Sequence, residues 1–147
     1  MEEDFSSSYR LSFRVSHPNF TAGQISRELG LEPKNFWNAG ERARNKNNEQ
    51  FGSVKKDTYC CYAIDYEVVG IKDEITEFLK QMDVHKRFLN HVSETGGDLT
   101  LYLAWFVSNS LAGEVFTSSL IQHLSEFKVN FAIEIYPDMP TTDGIAR

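Results

Sequence analysis

The segment from Lys34 to Asp57 gathers the residues of this chain best suited to do chemistry. It holds Lys34, Arg42, Arg44, Lys46, Lys55 and Lys56 against Glu41, Glu49 and Asp57, a local charge of +3 in a chain whose total is −6. The remaining residues therefore carry −9. Phe36 and Trp37 stand among these cations, and Asn35, Asn38, Asn45, Asn47 and Asn48 add hydrogen-bonding capacity. Cations beside aromatic rings can grip an anionic ligand or stack on a base. The same composition also suits a solvated loop whose rings cover the core, and that is the commoner case. Gly40-Glu41 invites a catalytic reading of Glu41, but a lone glutamate without an acid or nucleophile partner is weak chemistry. A turn glycine followed by a carboxylate that bonds backbone amides is the simpler reading.

The remaining reactive residue types point away from catalysis. His17, His85, His91 and His123 fall in no metal-ligand spacing, and His85 and His91, six apart, point to different sides of a helix. His17 precedes Pro18 at a strand end and reads as structural. Cys60 and Cys61 are adjacent, so on a strand they face opposite sides, and they form neither a disulfide framework nor a metal pair. Cys60 belongs in the core. Cys61 is free to be exposed, and no sequence neighbour activates it. Gly96-Gly97 is a turn, no glycine loop cradles a phosphate, and no serine stands in a nucleophile elbow. No metal and no cofactor are expected, and an enzyme rests on nothing positive.

The elements that must carry these residues are legible in turn. Thr21 and Gln24 form a capping box, Phe20 and Ile25 stand at hydrophobic-staple spacing, Ile25 and Leu29 share a face, and Gly30 and Pro33 end the helix. Upstream, Tyr9 to His17 alternates, with Leu11, Phe13 and Val15 on one side and Arg10, Ser12 and Arg14 on the other, as in a half-buried strand. Residues 34–58 are a long polar segment, which for a compact domain implies a hidden short strand, a turn or a functional loop. Tyr59 to Val68 alternates again. Ile71, Ile75, Phe78, Leu79 and Met82 recur at helical spacing, the pattern stumbles at Asp83-Val84-His85, and Phe88, Leu89 and Val92 resume it. Two consecutive helices or one kinked helix are expected, with Asp83 as a cap for the second piece. Leu99 to Val107 is the most apolar strand. Thr117 caps a helix with Leu120, Leu124 and Phe127 as its buried stripe, and Val129 to Tyr136 is a last strand with Val129, Phe131, Ile133 and Ile135 inward.

Strands with one strongly apolar side each imply a single sheet covered on one face by helices. The expected fold is therefore an α+β two-layer sandwich with a mostly antiparallel or mixed sheet of four to five strands, a ferredoxin-like arrangement leading. Residues 9–136 read as one domain between an acidic, serine-rich tail at 1–8 and a tail at 137–147. The outward face would carry Arg10, Arg14, Asp65, Glu67, Tyr102, Phe106, Glu134 and Tyr136, a mixture favoured at binding interfaces, although cross-strand ion pairs on a wet face give the same composition.

At 147 residues the chain is long enough to build a core without staples. The acidic balance argues against broad nucleic-acid or anionic-membrane binding. Met1-Glu2-Glu3-Asp4 is no secretory start, and no apolar run reaches the length of a membrane span. A reduced, cytoplasmic protein follows.

Ile25-Ser-Arg-Glu-Leu29-Gly30-Leu31-Glu-Pro33, then Gly40-Glu41, and the closing Ile133-Glu134-Ile135-Tyr136 resemble a bacterial family known as domain of unknown function 4279. Tyr59 stands where that family is expected to carry a Trp. The resemblance, over roughly residues 9 to 136, implies a small bacterial α+β protein and no known active site. The expected function is a protein-interaction module, immunity-like or partner-binding, acting on a protein partner or as a homodimer. The alternative is a binder of an anionic ligand or nucleic acid through the basic loop 34–57, nucleic acid being the less expected of the two. Trp37, Glu41, Arg42, Arg44, Arg10, Arg14, Tyr102 and Tyr136 are the candidate binding residues.

Overall fold

The computed structural model describes residues 8–108 and 112–137. Of the two expected tails, 1–8 and 137–147, all but Ser8 and Pro137 lie outside the described residues. Ser8 opens the first strand.

The elements follow the order β1 (Ser8–His17), α1 (Ala22–Leu29), β2 (Asn35–Trp37), β3 (Arg42–Arg44), β4 (Gln50–Val54), β5 (Thr58–Ile64), α2 (Ile71–Met82), α3 (Lys86–Glu94), β6 (Asp98–Phe106), α4 (Ser118–Glu126) and β7 (Asn130–Tyr136). Five strands form one mixed sheet in the order β2-β5-β1-β6-β7, and β3 and β4 form a separate two-stranded hairpin. The α+β class and the strand number expected from alternation are those found. β1 is antiparallel to both neighbours, β5 and β6, and β6-β7 is a parallel pair. α1 leads from β1 to β2, which runs parallel to β1 with β5 between them, and α2 and α3 lead from β5 to β6 on the other side of β1. The order β2-β5-β1-β6 is therefore the ferredoxin-like arrangement with its split βαβ unit, extended at one edge by β7.

One side of the sheet makes the core. Leu11, Phe13 and Val15 of β1, Tyr62 and Ile64 of β5, and Leu99, Leu101 and Leu103 of β6 are buried against Ile25 and Leu29 of α1, Ile75, Phe78 and Leu79 of α2, Leu89 and Val92 of α3, and Leu124 of α4. Phe13 meets Phe78 edge-on at 4.9 Å. Each such side chain removed from water contributes about 1.5–3 kcal/mol, so this layer carries the fold.

Local signals place the helices. Thr21 accepts from Gln24 N, and Gln24 Oε1 accepts from Thr21 N, closing the capping box. Gly30 ends α1 at φ 67°, a left-handed conformation that costs glycine little. Thr117 caps α4 by accepting from Leu120 N. Between α2 and α3 the chain takes one 3-10 turn, Asp83–His85, and Asp83 gives no side-chain cap to α3. The turn absorbs the break in apolar periodicity that suggested a cap.

The polar stretch 34–58 hides short strands, one of the outcomes its length implied: β2 and the β3-β4 hairpin. Two further readings need correction. β5 ends at Ile64, and Asp65 accepts from Glu67 N in the turn that follows, so Asp65 and Glu67 leave the sheet face. Ile133 and Ile135 share the helix side with Leu103 and Trp105 by register, yet they are 45% and 64% exposed. β7 is the outermost strand, and its inward row is covered at Val129 but open beyond Phe131.

Candidate functional site

The side of the sheet away from the helices is an ordered array of rings and charges. Register assigns Asn35 and Trp37 of β2, Tyr59, Cys61 and Ala63 of β5, Arg10, Ser12, Arg14 and Ser16 of β1, Thr100, Tyr102, Ala104 and Phe106 of β6, and Ala132, Glu134 and Tyr136 of β7 to this open face. Alternation along each strand is the whole cause: every residue that leaves the core row must project here.

The side chains lie against one another rather than projecting singly. Arg14 lies over the Tyr102 ring, its guanidinium carbon 3.9 Å from the centroid, while its Nε donates to Ser12 Oγ at 3.3 Å. Arg10 stands 5.5 Å over Phe106, whose other neighbour is the stacked ring of Tyr136 at 5.0 Å. Phe106 is thereby buried although it belongs to the uncovered side. Trp37 stacks on Tyr59 at 4.6 Å, and the Lys55 ammonium stands 4.4 Å from the Trp37 centroid. Cation–π contacts of this kind contribute about 0.5–2 kcal/mol each. They hold the rings in place against one another.

Glu134 is the polar node of the face. The hydroxyls of Tyr136 and Tyr102 both donate to its carboxylate. Those two bonds, with the Arg14 charge nearby, hold the Glu134 carboxyl below the usual range. The same contact with Glu134 is the main force that pushes the Tyr102 phenol up to about 12. Tyr59 is likewise pushed to about 12, by burial first and by Cys61 beside it second. Cys61, expected to be free for exposure, is 3% accessible beneath this layer.

Five of the eight candidate residues (Trp37, Arg10, Arg14, Tyr102 and Tyr136) therefore come together on one face, and three do not. Glu41 lies on an exposed turn, where its backbone C=O accepts from Lys55 N and its carboxylate faces Asn38 Nδ2 at 3.5 Å. The expected carboxylate-to-amide turn is thus built on backbone atoms and Asn38, whose Oδ1 accepts from Ala22 N at the start of α1. Arg42 Nε donates to Gly52 O at 2.7 Å, and Arg44 Nη1 donates to Asn48 O at 2.9 Å. Both arginines bind the carbonyls of their own hairpin.

Two features escaped the sequence. Glu74 is 4% exposed at the start of α2, and it accepts from Tyr9 OH at 2.9 Å and from Tyr66 N. It falls on the Ile71-Ile75-Phe78 stripe, so a carboxylate in an apolar row was the available signal. A groove of about 470 Å³ also runs between α1 and β2, lined by Ser26, Arg27, Leu31, Pro33 and Phe36. No signal marked it, because β2 was not recognisable. Among the described residues no cluster of His, Cys, Asp or Glu could hold a metal, and no helix is long and apolar enough to cross a membrane.

Comparison with known proteins gives one match. The family model described as Domain of unknown function (DUF4279) covers residues 7–138, which takes in all the landmarks from Ile25 to Tyr136. No curated protein and no solved structure matches.

Proposed function

We propose that this chain, which belongs to the DUF4279 family, is a protein-interaction module, immunity-like or partner-binding, whose binding surface is the open face of its sheet. The observation that carries the reading is the preassembled layer of Trp37, Tyr59, Arg14, Tyr102, Arg10, Phe106 and Tyr136 across all five strands of the main sheet. Tyr, Trp and Arg are the residues on which interface energy concentrates, and rings already stacked lose little entropy on binding. Arg10, Arg14 and Lys55 give the face a cationic cast within an acidic molecule, which suits a partner that presents carboxylates beside apolar groups. A bacterial cytoplasm is the proposed setting, in keeping with two unpaired thiols.

Ligand binding through residues 34–57 is the weaker alternative, since Arg42 and Arg44 already donate to the hairpin backbone. It requires salt-dependent binding of oligonucleotides or nucleotides.

A photo-reactive phenylalanine analogue in place of Tyr102, introduced in the source cells, tests the main reading. It should yield a discrete protein adduct that Arg14→Glu abolishes, with the melting temperature of the Arg14→Glu protein little changed. The same analogue at Gln81, exposed on α2, should yield none. Equal adducts from both positions, or none from Tyr102, would refute it.

A further inference from the structure

The main sheet has two edges, and they are built differently. β2 is three residues long and gives way at once to the turn at Gly40. β7 runs for seven residues without a proline, a lysine or a bulge. Sheets ordinarily blunt an edge with those devices, because unpaired N–H and C=O groups invite another strand. Tyr136 O accepts from Val107 N at 2.9 Å, so the backbone groups of Tyr136, and by alternation those of Glu134 and Ala132, face β6. Those of Phe131, Ile133 and Ile135 face outward. The same three residues place their side chains on the helix side, where Ile133 and Ile135 are exposed.

We propose that β7 pairs antiparallel with β7 of a second copy of this chain, across a two-fold axis at Ile133, so that two sheets join edge to edge. Outward-facing groups oppose one another in registers centred on Ala132, Ile133 or Glu134. Centring on Glu134 sets two carboxylates directly opposite, a repulsive pair. Centring on Ala132 leaves Tyr136 opposite Lys128, outside the strand. Centring on Ile133 uses the whole strand: Phe131 opposes Ile135, Ile133 opposes its own copy, and Glu134 opposes Ala132. That register gives about six N–H···O=C bonds and an isologous, closed contact. The rival occupant is the chain's own segment 138–147 folding back. It would start from Pro137 and carry Pro140, each without an N–H to give the edge.

Light scattering and sedimentation of the full chain decide the matter. A mass twice 16.8 kDa is expected. Ile133→Lys should raise the dissociation constant more than about tenfold, with an unchanged circular dichroism spectrum, and removal of residues 138–147 should leave the dimer intact. A second readout does not depend on that variant. Ile133→Cys should form an inter-chain disulfide on oxidation, because hydrogen-bonded antiparallel partners stand about 5.5 Å apart at Cα, whereas Thr76→Cys on α2 should not. A monomer at every concentration, a dimer indifferent to Ile133→Lys, or a chain that dimerises only once 138–147 is removed would each overturn the proposal. None of these results touches the open-face reading, which uses other side chains.

Discussion

His17 ties β1 to two other parts of the fold through one ring. Its Nδ1 accepts from the backbone N of Asn19 and Phe20, at 3.0 and 2.9 Å, and its Nε2 lies 2.7 Å from Thr95 Oγ1. Two amides aimed at Nδ1 require the neutral tautomer with the proton on Nε2. Thr95 Oγ1 in turn donates to His91 O, and Phe20 stacks on the imidazole at 3.8 Å. Burial, and then the proximity of His91, lower the His17 pKa below its ordinary 6.5, against an opposing pull from Asp57. The unfolded chain therefore takes up the proton first. This contribution to stability is complete above about pH 6.5 and is lost as pH falls from there toward the lowered folded value. Chemical denaturation at pH 7.5 and pH 5 should show that loss, and His17→Gln, which cannot titrate, should flatten it. A slope unchanged by the substitution would assign the pH dependence elsewhere. The structural role of His17 was legible from its place before Pro18 at a strand end. That of Glu74 was not, because only the folded chain brings Tyr9 and the amide of Tyr66 to one carboxylate.

At the scale of elements, the clearest constraint is where α3 hands over to β6. A Cβ on Gly97 would stand 2.5 Å from Ser16 O and 2.6 Å from Val92 Cγ1. Gly97→Ala should therefore cost about 1–3 kcal/mol, read as a lower midpoint in a urea titration, while Gly113→Ala, with open space around it, should leave the midpoint in place. The sequence showed a turn here but not a contact with β1, since that contact is long-range. Elements announced by both ends, such as α1 between Thr21 and Gly30, were readable to the residue. The β3-β4 hairpin was not. Every residue of β4 is exposed, so no burial alternation exists for its sequence to record. β7 was readable as a strand and not as an edge. Its alternation is genuine, and whether Ile133 and Ile135 are covered depends on how far α4 reaches over it.

The whole molecule is a sheet with a sealed side and a furnished side. The sealed side was inferable from Leu11, Ile64 and Leu103, which are all buried as expected. The furnished side was inferable as a list of residues, but not as stacked pairs, because the pairing of Trp37 with Tyr59 needs β2 and that of Phe106 with Tyr136 needs the β6-β7 register. The proposed partner surface is a face of the layer and the proposed contact between copies is its β7 edge, so one copy could engage both at once.

Cys60 and Cys61 give that two-sidedness an unexpected use. Neighbours along the chain, they are shut away in opposite directions, at 0% and 3% accessibility. Cys61 needs only the rings above it to lift before an alkylating reagent can enter, whereas Cys60 needs the whole domain to come apart. Site-resolved alkylation followed by mass spectrometry should therefore run as two clocks, with Cys61 ticking faster. A ligand seated on the rings should slow the first clock more than the second, and equal rates under all conditions would mean that the layer lifts only when everything does.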